Sequence, residues 1–195
     1  MYPDFKNFHR YLTEMAHVKQ ADFEKLLPLF SVKKYIKGQT ILSKGGISKH
    51  IYFVEEGLLR FYSVDESGKE HILQFAPENW WLTDRNNLYS DQPSEYFIDA
   101  YEESIVVLLN HNFIDKASTI SNEFRTFHEH MLQRHIKQLY RRINMLISTP
   151  ARDCYLEFLK TYPNIIQRVP QWMIASYLGV TPEAVSRIRK ELASK

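Results

Sequence analysis

The chain of 195 residues holds a single cysteine, Cys154, which excludes an internal disulfide and any iron–sulfur cluster held by four cysteines of one chain. The lone thiol reads as a small buried apolar residue. No apolar run approaches the ~18 residues of a membrane span. The opening residues, Tyr2, Pro3, Asp4 and Phe5, lack the basic segment followed by an apolar one that marks a secretory signal. A cytoplasmic protein with no membrane partner is expected. Missing too are a P-loop, a GxGxxG, a Ser/His/Asp order and an HxH pair with a following Glu, so neither enzymatic activity nor a cofactor is expected. His128, His130 and His135 share a helix-like stretch, but i,i+2 spacing separates side chains around a helix and only 128 and 135 align, so no metal set is read there.

What is present is unevenly charged. The net charge is +2. Residues 1–120 carry thirteen basic and seventeen acidic side chains, a net −4, and residues 121–195 carry twelve and six, a net +6. A base-rich C-terminal part attached to an acidic remainder fits a nucleic-acid module joined to something that need not touch nucleic acid.

The stretch from Val169 to Leu192, VPQWMIASYLGVTPEAVSRIRKEL, gives that module a form. Ile174 and Leu178 lie four apart on one helix face, and Val185, Ile188 and Leu192 share the face of a second helix. Gly179 follows the first helix where a left-handed backbone is cheapest for glycine. Thr181 supplies a hydroxyl N-cap, Pro182 occupies the first helical position where no amide donor is missed, and Glu183 faces the positive end of the dipole. Ala175 is small enough for a close crossing. Two short helices joined this tightly read as a helix-turn-helix. With the apolar side turned inward, the opposite face of the second helix carries Glu183, Ser186, Arg187 and Lys190, with Arg189 to one side and Thr181 at its mouth. Arginine can bond a guanine edge bidentately, glutamate can accept from cytosine, and Thr, Lys or a flanking Arg can hold phosphates.

Upstream, residues 4–30 carry two helix-like patterns, one around Phe5, Phe8, Tyr11, Leu12 and Met15, the other around Phe23, Leu26, Leu27 and Phe30, which read as a packing arm. From Ser31 the texture changes to short β-rich runs (TILS, HIYFVEEG, LLRFYSV, HILQFA, YFIDAY, SIVVLLN) cut by Gly38, Gly45–Gly46, Gly57 and Gly68, as in a barrel, sandwich or jelly roll. No Gly or Pro interrupts residues 121–148, which predicts a helix of roughly seven turns. Its Leu132, Ile136, Leu139, Ile143 and Leu146 step alternately by four and three, a seam of coiled-coil type, while Phe124, Phe127 and Met131 form an offset stripe. Packing of the helix on its own β domain is the alternative, and both uses can hold along different faces. Ala151 to Tyr162 places Cys154, Tyr155, Phe158 and Leu159 on one face that can cover the helix-turn-helix core.

This order resembles the Crp/Fnr family of bacterial transcription regulators over nearly the whole chain. The carriers are KGQTILSKGG at Lys37–Gly46, IYFVEEGLLRFY at Ile51–Tyr62 and IASYLGVTPEAVSRIRKEL at Ile174–Leu192. The resemblance implies an α+β protein: an effector-sensing β-roll of jelly-roll type (a double-stranded β-helix) with N-terminal helices over residues 1–120, a dimerisation helix over 121–148, and a winged helix-turn-helix DNA-binding domain over 149–195. It implies a homodimer reading a palindromic operator on double-stranded DNA, and leaves room for RNA polymerase and a small-molecule effector as partners. Pro182, Glu183 and Arg187 fall where members carry base-reading residues, with Ser186 beside them, although Pro182 departs from the usual basic or polar residue. The sensor departs further. Where cyclic-nucleotide-binding members carry a Gly-Glu pair and, about ten residues later, an Arg that grips the cyclic phosphate, this chain has Thr83–Asp84 and Ser94–Glu95. Arg85 stands beside Asp84, and Trp81 and Tyr96 add aromatic surface, so an effector pocket drawn from Trp81, Asp84, Arg85, Ser94, Glu95 and Tyr96 suits an uncharged or aromatic molecule better than cyclic AMP. The rival readings are a small-molecule-binding β-roll with vestigial DNA binding, which Pro182 alone favours, and, more remotely, a metal-dependent β-barrel enzyme.

Overall fold

The computed structural model describes residues 3–90 and 92–194. A short 3-10 turn, Pro3–Phe5, leads into α1 (Lys6–Arg10), a π turn (Tyr11–Met15) and α2 (Gln20–Leu26). Strands β1 (Phe30–Tyr35), β2 (Thr40–Leu42), β3 (His50–Glu56), β4 (Leu59–Val64), β5 (Glu70–Ala76) and β6 (Trp81–Leu82) follow. Helix α3 (Arg85–Ser90) precedes β7 (Phe97–Ala100) and β8 (Ser104–Asn110). The rest is helical: α4 (Phe113–Ile120), α5 (Asn122–Ser148), α6 (Ala151–Thr161), α7 (Ile165–Arg168), α8 (Gln171–Leu178) and α9 (Pro182–Ala193). The chain divides into two compact units, one made of residues up to Tyr62 with Phe75–Gln133, the other of Ser63–Gln74 with residues from Arg134 onward.

The strands form two antiparallel four-stranded sheets, ordered β1-β8-β3-β6 and β2-β7-β4-β5. The runs IYFV in β3 and VVLL in β8 are continuously apolar because these central strands are covered on both faces. Tyr52, Val54 and Val106 join Leu59, Leu82, Ile98 and Ala100 in the core between the sheets. Their neighbours Ile51, Phe53, Val107 and Leu109 point the other way, onto Phe8 and Leu12 of the N-terminal arm, Phe23 and Leu26 of α2, Phe113 of α4 and Phe124 of α5. Each such aromatic, fully buried, contributes about 1.5–3 kcal/mol. The arm is also held by a charge. Glu55 is buried, and its carboxylate accepts the backbone N–H groups of Asn7 (2.7 Å) and Phe8 (2.8 Å), two of the donors that the start of α1 leaves open.

Two positions show why particular residues are needed. Gly57 turns the chain between β3 and β4 at φ +94°, and a Cβ there would lie 2.5 Å from the Glu103 carbonyl oxygen, so only glycine fits. Arg60 and Asp99 stand directly opposite in β4 and β7 and form a buried bidentate pair, with the guanidinium over the Tyr62 ring at 4.5 Å.

Three expectations change. Phe30 does not close the helical arm but opens β1, a strand absent from the sequence reading because Ser31, Lys33 and Lys34 break its apolar pattern. It is an edge strand, where lysines discourage pairing with another chain. The two-residue β6 is too short to leave a sequence signal. The wing is not built of strands: among the described residues none follows Asn110, and the segment between α6 and α8 holds α7 instead. The start of the long helix packs on its own β domain, while its middle remains exposed. Phe124 is 1% exposed in the core and Phe127 packs against it, whereas Ile136, Leu139, Ile143 and Leu146 are 45%, 45%, 53% and 50% exposed.

Candidate nucleic-acid interface

The second unit gathers α6, α7, α8 and α9, the C-terminal half of α5 and the hairpin end of β4–β5. Its core comprises Tyr155 and Phe158 of α6, Ile165 of α7, Ile174, Ala175 and Leu178 of α8, and Val185 and Ile188 of α9, all buried. Phe158, Tyr162 and Tyr177 pack ring against ring at centroid distances of 5.2–5.6 Å. Cys154 is buried there too, its thiol pushed upward in pKa by desolvation.

The turn between α8 and α9 takes its form from backbone chemistry. Gly179 is left-handed (φ 67°, ψ 27°) and ends α8, and the N–H of Val180 returns to the Ala175 carbonyl at 3.0 Å. Thr181 is extended, and its hydroxyl accepts the Ala184 N–H at 3.3 Å, capping α9 with Pro182 at the first helical position. The Glu183 carboxyl lies below the usual range, because its own backbone N–H and then the Thr181 hydroxyl donate to it. That carboxylate is thus turned toward the helix start. Gln171, at the start of α8, donates to the Pro182 carbonyl, clasping the two helices.

Along α9, Thr181, Pro182, Glu183, Arg187, Arg189 and Lys190 are exposed and Ser186 is half-buried, so one side of the helix is open, polar and mostly basic. Leu192, read as an inward residue, is only half-buried, since the helix ends within a residue of it.

Two polar anchors, neither visible as a sequence motif, hold α8. The Ser176 hydroxyl accepts the Ile72 N–H at 2.9 Å and donates to the Glu70 carbonyl at 3.2 Å. The Arg142 guanidinium of α5 donates to the carbonyls of Leu73, Ile72 and Tyr177 and lies 3.9 Å from the centre of the Tyr177 ring. The only sequence clue was the Arg141–Arg142 doublet within an otherwise heptad-like helix.

The residues read as an effector pocket are only partly brought together, in the first unit. Asp84 and Ser94 are buried and meet, the hydroxyl donating to the carboxylate at 2.6 Å, while the Asn87 N–H donates to the other carboxylate oxygen at 3.2 Å. Asn87, which the sequence reading passed over, is buried and donates to the carbonyls of Gly46 and Gln92. Arg85 is exposed and lies over the Tyr89 ring at 5.3 Å, and Glu95 is exposed. Trp81 packs among Phe8, Tyr11 and Phe53, and Tyr96 against Phe61. Arg60 is the one buried basic side chain among the described residues, and Asp99 occupies it.

Residues 32–118 match the family described as the cyclic nucleotide-binding domain. The fold is shared with FixK2 of Bradyrhizobium japonicum at a TM-score of 0.70 and 20% identity, covering 85% of each chain. It is shared with CLP of Xanthomonas campestris, a c-di-GMP-responsive global regulator, at 0.68 and 12%, covering 90% of this chain and 92% of that one. The catabolite activator protein of Thermus thermophilus aligns at 0.57 and 17%, over 94% and 86%. These neighbours are Crp/Fnr-family regulators, and the α+β architecture of β-roll and C-terminal helices is theirs. A comparison with curated proteins gives no match.

The anchor at Arg142 yields a testable expectation. Arg142→Ala leaves partly buried carbonyls without a charged donor and is expected to destabilise the C-terminal unit by about 1.5–3 kcal/mol. Arg142→Lys should recover only part of this, because an ammonium lacks the planar fork. Urea unfolding of the full chain measures both.

Proposed function

We propose that the chain is a sequence-specific, DNA-binding transcription regulator of Crp/Fnr type that works as a homodimer and whose β-roll does not grip a cyclic nucleotide. The observation that carries the reading is α9, a firmly capped helix that buries Val185 and Ile188 and leaves Arg187, Arg189 and Lys190 open. In this reading α9 enters the major groove, with Arg187 and Ser186 toward base edges and Thr181, Pro182 and Glu183 at its N-terminal end, while Arg189 and Lys190 reach phosphates. Residues 1–120 form the effector roll, 121–148 the dimerisation helix and 149–195 the DNA-binding domain.

Exposed Ile136, Leu139, Ile143 and Leu146, continued by half-buried Leu132, form a stripe that a second copy would cover. Paired α9 helices would then read half-sites about one helical turn apart on a palindromic operator.

The experiment that decides the DNA reading is a binding titration against operator variants selected from random sequence. Arg187→Ala is expected to cost about 1–3 kcal/mol and flatten preference at one base pair, whereas Lys190→Ala should weaken all sequences alike and reduce the salt slope by about 1. Unchanged selectivity in Arg187→Ala would refute the assigned face.

Dimerisation is checked by ultracentrifugation. The protein should sediment as a dimer at micromolar concentration, and Leu139→Asp with Ile143→Asp should give monomers. An undisturbed dimer in that variant would remove the helix from the interface.

Cyclic AMP and cyclic GMP are expected to give no binding heat. A buried cyclic phosphate must trade hydration for charge-assisted bonds, yet Ser94 already donates to Asp84 and Arg60 is committed to Asp99. Micromolar binding that disappears in Asp84→Ala would overturn this.

A further inference from the structure

The second unit contains a cavity of about 330 Å³ between α5, α6 and the end of α8, within the range of roughly 300–1,000 Å³ that small-molecule sites occupy. Its floor is apolar, with Met145, Phe158 and Leu178 among the lining residues, and its α5 wall is cationic. Arg141 is neutralised by Glu157 at 3.0 Å, and Lys160 also pairs with that carboxylate. Arg134 and Lys137, by contrast, are exposed and have no acidic partner among the described residues. At 3.6 residues per turn, positions 134, 138, 141 and 145 lie on roughly the opposite side of α5 from the Ile136–Leu139–Ile143 stripe. Leu146 belongs to both the stripe and the cavity rim, so a partner helix seated on Ile136, Leu139 and Ile143 meets the cavity only at that edge and leaves the Arg134–Lys137 mouth open.

We propose that this cavity is a binding site for a small amphipathic organic anion, an aromatic or branched aliphatic molecule bearing a carboxylate or sulfonate. The apolar body enters between Phe158, Met145 and Leu178, where burial is favourable in proportion to area. The anionic head stays at the mouth, where Arg134 and Lys137 supply charge-assisted donors without having to surrender an existing ion pair. A neutral ligand would leave the cationic mouth unused, and a polyanion would meet Glu157. Such a ligand touches α5, α6 and α8 together, so its occupancy bears directly on the elements that hold the helix-turn-helix. The site goes beyond the DNA-binding reading and does not need it.

The test uses the full-length protein and the fluorescent aromatic sulfonate 8-anilinonaphthalene-1-sulfonate, with uncharged N-phenyl-1-naphthylamine as the matched neutral probe. One sulfonate site per protomer is expected. Arg134→Gln with Lys137→Gln should weaken the sulfonate at least tenfold and leave the neutral probe within about twofold. Thr161→Trp, which fills the cavity from α6, should abolish both. Equal sulfonate affinity in the wild type and the double glutamine variant overturns the proposal. So does a sulfonate signal that survives Thr161→Trp but vanishes in Leu139→Asp with Ile143→Asp, since the probe is then on the exposed stripe. Operator binding is titrated separately on the same variants, so failure of the DNA reading leaves these outcomes interpretable.

Discussion

The guanidinium of Arg142 ties together segments 35 and about 70 residues apart in sequence, bonding carbonyls of the β4–β5 hairpin and of α8 while stacking on Tyr177. An arginine suits the place because one planar group can address several carbonyls and an aromatic face at once. Each carbonyl it reaches would otherwise be a partly buried acceptor, which costs more to leave unmade than the bond returns in net stability. With Ser176 bonded to both Ile72 and Glu70, the hairpin, the late part of α5 and the first helix of the pair become one body. Within the second unit, the late part of α5 is thus connected to α8 by polar contacts as well as by apolar surface.

The β-roll answers a different constraint. Strands buried on both faces leave no room for an uncompensated charge, and the roll meets this by pairing what it encloses. Arg60 faces Asp99, Asp84 accepts from Ser94 and Asn87, and Glu55 caps the first helix. Arg60, the one buried basic side chain among the described residues, is thereby engaged by Asp99. Along α9, Arg187, Arg189 and Lys190 are exposed, as are Arg134 and Lys137 on α5. The charge asymmetry of the sequence has this structural counterpart: acids are spread over the roll's surface and buried pairs, and bases concentrate where helices remain open.

The amino-acid sequence by itself determined the parts whose causes are local. Gly179, Thr181 and Pro182 impose the turn and cap through backbone conformation and one hydroxyl, so the helix pair was legible within its own residues. The doubly covered strands announced themselves as IYFV and VVLL, and the seven-turn helix by its lack of Gly and Pro. Only the tertiary structure decided the rest, because the reasons lie in residues distant in sequence. Strand β1 exists because β8 offers it a partner along its whole length, despite two lysines. Helix α7, for which the sequence reading had no element, puts Ile165 into the domain core. Trp81 and Arg85, neighbours in sequence of Asp84, were drawn to other surroundings, one by aromatic packing on the N-terminal arm and the other by Tyr89. The buried pair of Arg60 with Asp99 and the contacts of Arg142 depend on strand register and helix position, which no local pattern encodes.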